Sequence, residues 1–449
     1  MELITIETPS LGDRSYLLVE GGAAAAVDPQ RDIDRILVIL ETRGLRLTHV
    51  FETHIHNDYV TGGLELARRT GAEYVLSAEE DVAYERTGAH DGDEFSVGGL
   101  VVRALHTPGH TPTHLSYVVV DDGEPAVVFT GGSLLYGTVG RTDLIGAAAT
   151  DWLTRAQFRS VRRLASELPG HTAVAPTHGF GSFCSSASTS GSTASTIDEE
   201  RTGNLALTVD DEEEFVERLL RGLTAYPRYY AHMAPANRRG PDPVDLSPPE
   251  PVDPYELRRR IHAGEWVVDL RSRTAFARGH LAGTLNVEVG TAFVTYLGWT
   301  IPWGTPVTLV GDTAGEVAEA QRQMARIGID RPAGAATGGI EAWAAGGDVR
   351  SYRTATLDEM AGAATRSAVI LDVRRDDEWA DGHVDGAVHI PLHELEARLG
   401  EIPEGEVWVH CATGYRASIA ASMLDRAGRR VVLVDDDWAR SKDRVPRAA

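Results

Sequence analysis

The chain has 449 residues, 42% hydrophobic and 24% charged. That is the profile of a soluble globular protein long enough for two to four domains. Forty-three basic against 66 acidic residues leave a net charge of −23, which sets the surface against nucleic acid and anionic membrane. Two cysteines, Cys184 and Cys411, exclude a disulfide framework, and with no leader pattern or bilayer-length apolar run legible they point to a reducing cytoplasm.

Strand-like runs recur at Arg14–Val19, His49–Glu52, Tyr74–Ser77, Leu100–Leu105, Leu115–Val120 and Ala126–Thr130. Helical patterns over Asp32–Thr42 and Gly63–Thr70 are closed by Gly44 and Gly71. The first 230 residues therefore read as an α/β domain rich in β. The Ser/Thr/Gly stretch Ser182–Thr196 has little to bury and reads as a mobile loop. Thr208 is placed to cap the amphipathic helix Glu212–Arg221, with Asp211 at the capping-box position and Gly222 as its stop. Ala234–Pro254 holds seven prolines and marks a linker.

Within the first domain, histidines gather in turns at strand ends. Thr53-His-Ile-His-Asn-Asp-Tyr-Val-Thr-Gly-Gly63 places His54, His56 and Asp58 where the chain leaves a strand. Imidazoles at i and i+2 with an aspartate at i+4 can converge on one ion there. Thr107-Pro-Gly-His110, His114 and Pro176-Thr-His178 follow. The candidate ligand set is His54, His56 and His110, three neutral imidazoles that leave open positions on an ion. Asp58 and His178 are expected to hold outer hydrogen bonds or a weak second site. Cys184, six residues after His178, either packs without chemistry or faces the metal cavity as a relay thiol. Tyr226, Tyr229, Tyr230 and His232 close a core or line a thiol cleft.

Beyond the linker the sequence repeats. Val268-Asp-Leu-Arg271 with Gly279-His280 returns as Leu371-Asp-Val-Arg374 with Gly382-His383, at a constant offset of 103. Each copy spans about a hundred residues. The second copy carries Val407-Trp-Val-His-Cys-Ala-Thr-Gly-Tyr-Arg416, a strand running into a loop from Cys411 to Arg416, then a helix from Ser418 to Leu424. Loop amides and a helix N-terminus aimed at the sulfur favour thiolate, and Arg416 adds charge for an anionic substrate. Ala412, Thr413, Gly414 and Tyr415, the loop residues between Cys411 and Arg416, are the candidate substrate-binding residues. The first copy has Gly311-Asp-Thr-Ala-Gly-Glu316 instead, with cysteine replaced by Gly311 or Asp312 and arginine by Glu316. It reads as structural, because its carboxylates repel a thiolate or sulfur oxyanion.

Cys411-x-x-Gly414-x-Arg416, preceded by Asp-Val-Arg and Gly-His-x-x-Gly-Ala, resembles the rhodanese sulfurtransferase family over both copies. The resemblance implies a persulfide on Cys411, with Asp372 and Arg374 bracing the loop. The histidine motifs, with Phe129-Thr-Gly-Gly132 and Gly140-Arg-Thr-Asp143, resemble the metallo-β-lactamase fold and within it the persulfide dioxygenase branch, sometimes fused to rhodanese domains. Two positions depart from that pattern. Tyr59 replaces an adjacent histidine, and Gly132 replaces the aspartate expected to complete an iron triad with His54 and His110.

The expected architecture is α/β and multidomain. A metallo-β-lactamase-like αββα sandwich fills 1–235, a Pro-rich linker 236–253, an inactive rhodanese-like domain 254–352, and a rhodanese domain with Cys411 353–449. The resemblance implies a sulfur-metabolism enzyme with one Fe(2+) per chain, Zn(2+) or no metal being the alternatives. Its partners would be a low-molecular-weight thiol persulfide, sulfite or thiosulfate, with a homodimer through the first domain. The competing readings are a sulfurtransferase with a degenerate first domain, and a zinc thioester hydrolase.

Overall fold

The computed structural model describes residues 1–187, 191–364, 368–441 and 447–448. The chain divides into two units, Met1–Val244 with Ala325–Gly328, and Asp245–Met324 with Ile329–Ala449.

The first unit is built on two six-stranded sheets. One takes its strands in chain order, Glu2–Thr8, Asp13–Glu20, Ala23–Val27, Arg46–Phe51, Glu73–Ser77 and Thr87–Ala89. It is antiparallel up to Ala23–Val27 and parallel from there on. Ala23–Val27 is buried throughout, as a strand covered on both faces must be. The other sheet runs in the order Ser195–Thr196, Ala173–Pro176, Glu124–Gly131, Leu115–Asp121, Leu100–His106, Glu94–Val97. Leu100, Val102 and Ala104 alternate inward to meet Tyr16, Leu18, Val27 and Phe51 of the first sheet. On the outer face of the first sheet lie the helices Asp34–Arg43 and Gly63–Thr70, each ended by a left-handed glycine, Gly44 or Gly71. On the outer face of the second lie Ala147–Glu167 and Glu212–Gly222. The layering is αββα, as expected.

Three local expectations change. The cap of Glu212–Gly222 is Asp211, whose carboxylate accepts the Glu214 N–H at 2.9 Å, while Thr208 ends a separate short helix, Leu205–Thr208. Two acceptors competed for one N-terminus, and the nearer won. Of the 182–196 stretch, residues 188–190 lie outside the described residues. Both ends are tied in, with Ser195–Thr196 pairing antiparallel to Ala173–Val174 and the Ser186 hydroxyl donating to the Val139 carbonyl. The Pro-rich segment begins inside the helix Tyr230–Arg239, which contains Pro235, and it ends as a sheet-edge contact, Val252 N–H donating to Ala335 O.

The second unit holds two copies of one parallel design. The first sheet is ordered Leu285–Asn286, Trp266–Asp269, Val307–Val310, Gly334–Ala336. The second is ordered Arg353–Ala355, Arg430–Val434, Glu406–His410, Val369–Asp372, Val388–His389. Registers Asp269↔Val310 and Asp372↔His410 align Gly311 with Cys411, which resolves the one-residue ambiguity. In both copies the loop leaves the carboxyl end of a strand and enters a helix, where open parallel sheets bind ligands. Among the described residues no helix is long and apolar enough to cross a membrane.

Candidate active sites: a buried histidine cluster and a cysteine loop

The strand Arg46–Phe51 delivers the chain into the first site. His54, His56, His110, His114 and His178 are all buried, and their rings pack together. Their outer nitrogens fix their tautomers. The Thr53 hydroxyl donates to Asp28 at 2.7 Å, so its lone pair is left to accept the His54 Nδ1–H at 2.8 Å. His110 Nδ1–H donates to the Arg141 carbonyl at 2.8 Å. His178 Nδ1–H faces Asp13 at 2.9 Å and Asp58 at 3.1 Å. His56 Nε2–H faces Glu52 at 3.2 Å and Asp28 at 3.3 Å. In the neutral ring each inner nitrogen is thereby left as a lone pair, the arrangement carboxylate and carbonyl partners impose on metal-binding histidines.

These inner nitrogens converge. His54 Nε2 and His178 Nε2 stand 3.3 Å apart, and His110 Nε2 and His56 Nδ1 have no hydrogen-bond partner among the described residues. Two facing lone pairs at that distance require a proton or a cation between them, so the donor set fits a metal ion. Ligand atoms of His54, His56 and His178 lie within 4.8 Å of one another, as do those of His110, His178 and Cys184. His178, placed at the margin by the sequence, therefore stands where the two groups overlap. Burial, then neighbouring histidines, hold His54 well below its ordinary pKa and bring His110 to about 3. Burial pulls His56 and His178 down too, but their carboxylate partners outweigh it, raising His56 to about 9 and His178 well above its ordinary value.

The two departures are structural substitutions. Tyr59 is fully buried with its hydroxyl 2.9 Å from His56 Nε2 and 3.2 Å from the Asp28 carbonyl, so it supports His56 from the outer side. At Gly132 an added Cβ would lie 2.2 Å from His110 Cδ2, and the Gly132 N–H donates to His114 Nε2 at 3.1 Å. The ring of His110 occupies the room a carboxylate at 132 would need. His114 spends both nitrogens, one on Gly132 and one on the Thr107 hydroxyl at 2.9 Å.

Four supporting residues escaped the sequence reading. Asp28 sits at φ +49° and accepts from Thr53 N–H at 2.7 Å and from the hydroxyls of Thr53 and Thr177. Glu52 is raised to about 7 by burial. Asp13 anchors His178. Asn237, inside the expected linker, donates to the carbonyls of His56 and Tyr59 and accepts the Thr61 N–H, all at 2.9 Å. Only the seven prolines around it had a sequence signal. A cavity of about 240 Å³ is lined by Asn57, the residue after His56, and by Leu144, Ile145, Tyr226, Tyr230 and Arg238. The buried Asn57 Nδ2 has no partner among the described residues. Tyr226 and Tyr230 thus line the cleft, and Tyr229 packs in the core.

In the second unit the helix begins earlier than expected, at Tyr415, with left-handed Gly414 (φ 88°) as its cap. Arg416 therefore lies in the first helical turn. An added Cβ at Gly414 would lie 2.2 Å from Asp435 Oδ1, so this position requires glycine on both counts. Cys411 is 2% exposed and its sulfur accepts the Ala417 N–H at 3.4 Å. A narrow cleft beside the loop is lined by Tyr296, Trp299, Arg375, Leu392, His393 and Arg416, the first two from the first copy. Arg416 is held bidentate by Glu378 at 2.5 and 2.7 Å, so its charge is already matched. Tyr415 spends its hydroxyl on the Glu288 carbonyl of the first copy at 2.7 Å. Thr413 is exposed and Ala412 partly so.

The bracing pair recurs in both copies. Arg374 grips Asp372 at 2.7 Å and the Gly382 carbonyl at 2.9 Å, and Arg271 does the same to Asp269 at 2.6 Å and Gly279 at 2.9 Å. In the first copy Glu316 accepts the Thr313 N–H at 3.0 Å and lies 3.0 Å from where a Cβ on Gly311 would be. A carboxylate thus fills the place where the second copy has its sulfur.

This chain is a metallo-β-lactamase-type αββα sandwich joined to tandem parallel domains with one cysteine loop. It belongs to the metallo-beta-lactamase superfamily, matched over residues 11–178, and carries two rhodanese-like domains, matched over 253–346 and 355–443. It is similar to the mitochondrial persulfide dioxygenase ETHE1 of Homo sapiens, 32% identical over 235 residues, spanning 51% of this chain and 82% of that protein. The hydroxyacylglutathione hydrolase of Methylococcus capsulatus is 38% identical over 185 residues, 39% of this chain and 66% of that one. A metallo-beta-lactamase from Staphylococcus aureus superposes with a TM-score of 0.67 at 28% identity, covering 75% of this chain and 99% of its own.

Proposed function

We propose that the chain oxidises a low-molecular-weight persulfide at the histidine cluster and moves sulfane sulfur through Cys411. The observation that carries the first half is the pair of buried ligand groups, His54/His56/His178 and His110/His178/Cys184, that overlap at His178, with a cavity of about 240 Å³ lined by Asn57, the residue after His56. A metal held by His54, His56, His110 and His178 would supply redox chemistry with O₂, and one Fe(2+) per chain suits the similarity to persulfide dioxygenases. The overall change is persulfide, O₂ and water to thiol, sulfite and two protons. Asp28 through Thr53, Asp13, Asp58 and the Arg141 carbonyl hold the imidazole rings in place. Asn57 and the tyrosine pair receive the carrier of the sulfur, with the Asn57 amide as a donor to it.

In the second half the Cys411 thiolate attacks the outer sulfur of a donor. A bond forms between the two sulfurs, and the donor's own sulfur bond breaks, its electron pair leaving with sulfite or a thiol. An acceptor nucleophile then takes the outer sulfur and regenerates the thiolate. With sulfite as acceptor the product is thiosulfate. Both reactions on one chain raise the local concentration of the shared intermediate.

The test is oxygen uptake by the iron-loaded full chain given glutathione persulfide, with sulfite formed in equal amount. No uptake overturns the oxidation. Thiosulfate:cyanide transfer surviving in Cys411→Ala overturns the transfer. A second reading, sulfur transfer alone, draws on Gly132 and predicts no stoichiometric metal after purification. Zinc thioester hydrolysis draws on the likeness to a hydroxyacylglutathione hydrolase. It is weakened because Gly132 and Tyr59 give no ligand to a second ion.

A further inference from the structure

The position that should carry the anionic ligand is a glycine, yet the cluster has another source of negative charge. We propose that Cys184 supplies, as a thiolate, the anionic ligand of the metal at the histidine cluster, beside His110 and His178. The inference rests on the proposed function only in requiring a metal there.

Four observations support it. Ligand atoms of His110, His178 and Cys184 lie within 4.8 Å of one another, and all three residues are buried. His110 Nε2 has no partner among the described residues, although its ring is locked through Nδ1. Arg141 sets both groups in register, since its carbonyl takes the His110 Nδ1–H and its own N–H donates to the Cys184 carbonyl at 2.8 Å. The guanidinium of Arg141 then holds the Phe183 carbonyl at 3.1 Å, which fixes the loop that presents the sulfur. Finally, the ring of His110 stands where a side chain at position 132 would have to go, so that position supplies no carboxylate, and Asp58 is engaged on the Nδ1 side of His178 at 3.1 Å.

The substitution conserves charge. Two neutral imidazoles and one thiolate carry the same single anion as two imidazoles and one carboxylate. It changes softness, favouring zinc, iron or copper(I) over magnesium, calcium or manganese. Binding is a proton exchange without electron transfer: the S–H bond, which burial and then Asp58 favour, breaks, a sulfur–metal bond forms, and that proton leaves to solvent with the one that, against burial, Asp58 and Asp13 favour on His178. A ligated sulfur is also no longer a free thiol, so of the two sequence readings of Cys184, inert packing and a relay, neither describes a fixed ligand.

Because the chain has two cysteines, the full chain carrying Cys411→Ser isolates the question. Loaded with Co(II), it should show a thiolate-to-cobalt charge-transfer band in the near ultraviolet. The band should vanish in the double variant with Cys184→Ser, whose cobalt affinity should fall at least about tenfold, the cost of losing even an outer partner. Zinc-edge X-ray absorption of the Cys411→Ser chain should show a sulfur scatterer at about 2.3 Å, which decides the matter even if the double variant misfolds. Bound cobalt without the band, a nitrogen- and oxygen-only zinc shell, or no metal binding at all overturns the proposal. A sulfur ligand without persulfide-dependent oxygen uptake leaves this inference standing and removes only the proposed oxidation.

Discussion

Single side chains decide what each site can do, and Gly132 is the sharpest case. Restoring an aspartate there looks like a repair of the family pattern, but the new Cβ meets His110 at 2.2 Å. Gly132→Asp should therefore weaken metal binding and lower thermal stability by about 1–3 kcal/mol, as overpacking does, measured by metal titration and thermal melts. A gain in affinity would show that His110 moves aside freely. At the other site, Glu378 and Arg416 act as one unit, and the first copy has lost both, with Ala275 and Glu316 at the matching positions. Burial pushes the Glu378 carboxyl up, but Arg416 outweighs it and holds the group below its ordinary 4.5. A depressed carboxyl stabilises the fold above its unfolded pKa, and that contribution is lost as pH falls through the folded one. Glu378→Gln should thus destabilise the chain at neutral pH, and the gap to wild type should close as the pH falls below the ordinary carboxyl pKa and through the depressed folded one, followed by urea melts into acid. A gap that persists into acid would mean that packing, rather than charge, is what the glutamate contributes.

At the scale of elements, the helix Tyr230–Arg239 does more than lead into a linker. Asn237 spends its whole amide on the turn that carries His56 and Tyr59. Asn237→Ala should leave two carbonyls and one N–H of that turn without partners, at about 1–3 kcal/mol for each buried group left unmet. The melting temperature should fall and metal affinity with it, while thiosulfate:cyanide transfer at Cys411 stays at the wild-type rate. Unchanged metal affinity would separate the brace from the site. This element also marks the limit of what the sequence revealed. Strands and capped helices were legible because their signals are local: alternation in Leu100–His106, and Gly44 and Gly71 at helix ends. The 103-residue repeat exposed the second unit, and strand pairing supplied the register that placed Gly311 opposite Cys411. Asp13, Asp28 and Asn237 were not legible. They lie far along the chain from the histidines they support, and only the pairing of the sheets brings them together.

Taken whole, the molecule carries two chemistries in two units, each with its own core. A metal that binds only the folded first unit stabilises it by mass action, by about 2.7 kcal/mol when free metal stands at 100 times its dissociation constant. The Cys411 loop is held from within its own unit, the sulfur by the Ala417 amide and the loop by Glu378, Asp372 and Arg374. Chelation should therefore lower one calorimetric transition of the full chain and leave a second unmoved. Sulfur transfer from thiosulfate should survive chelation unchanged, and persulfide-dependent oxygen uptake should stop. A single transition that shifts as one on chelation would instead mean that the units melt together. Loss of sulfur transfer in the same sample would then show that the histidine cluster holds up the cysteine loop.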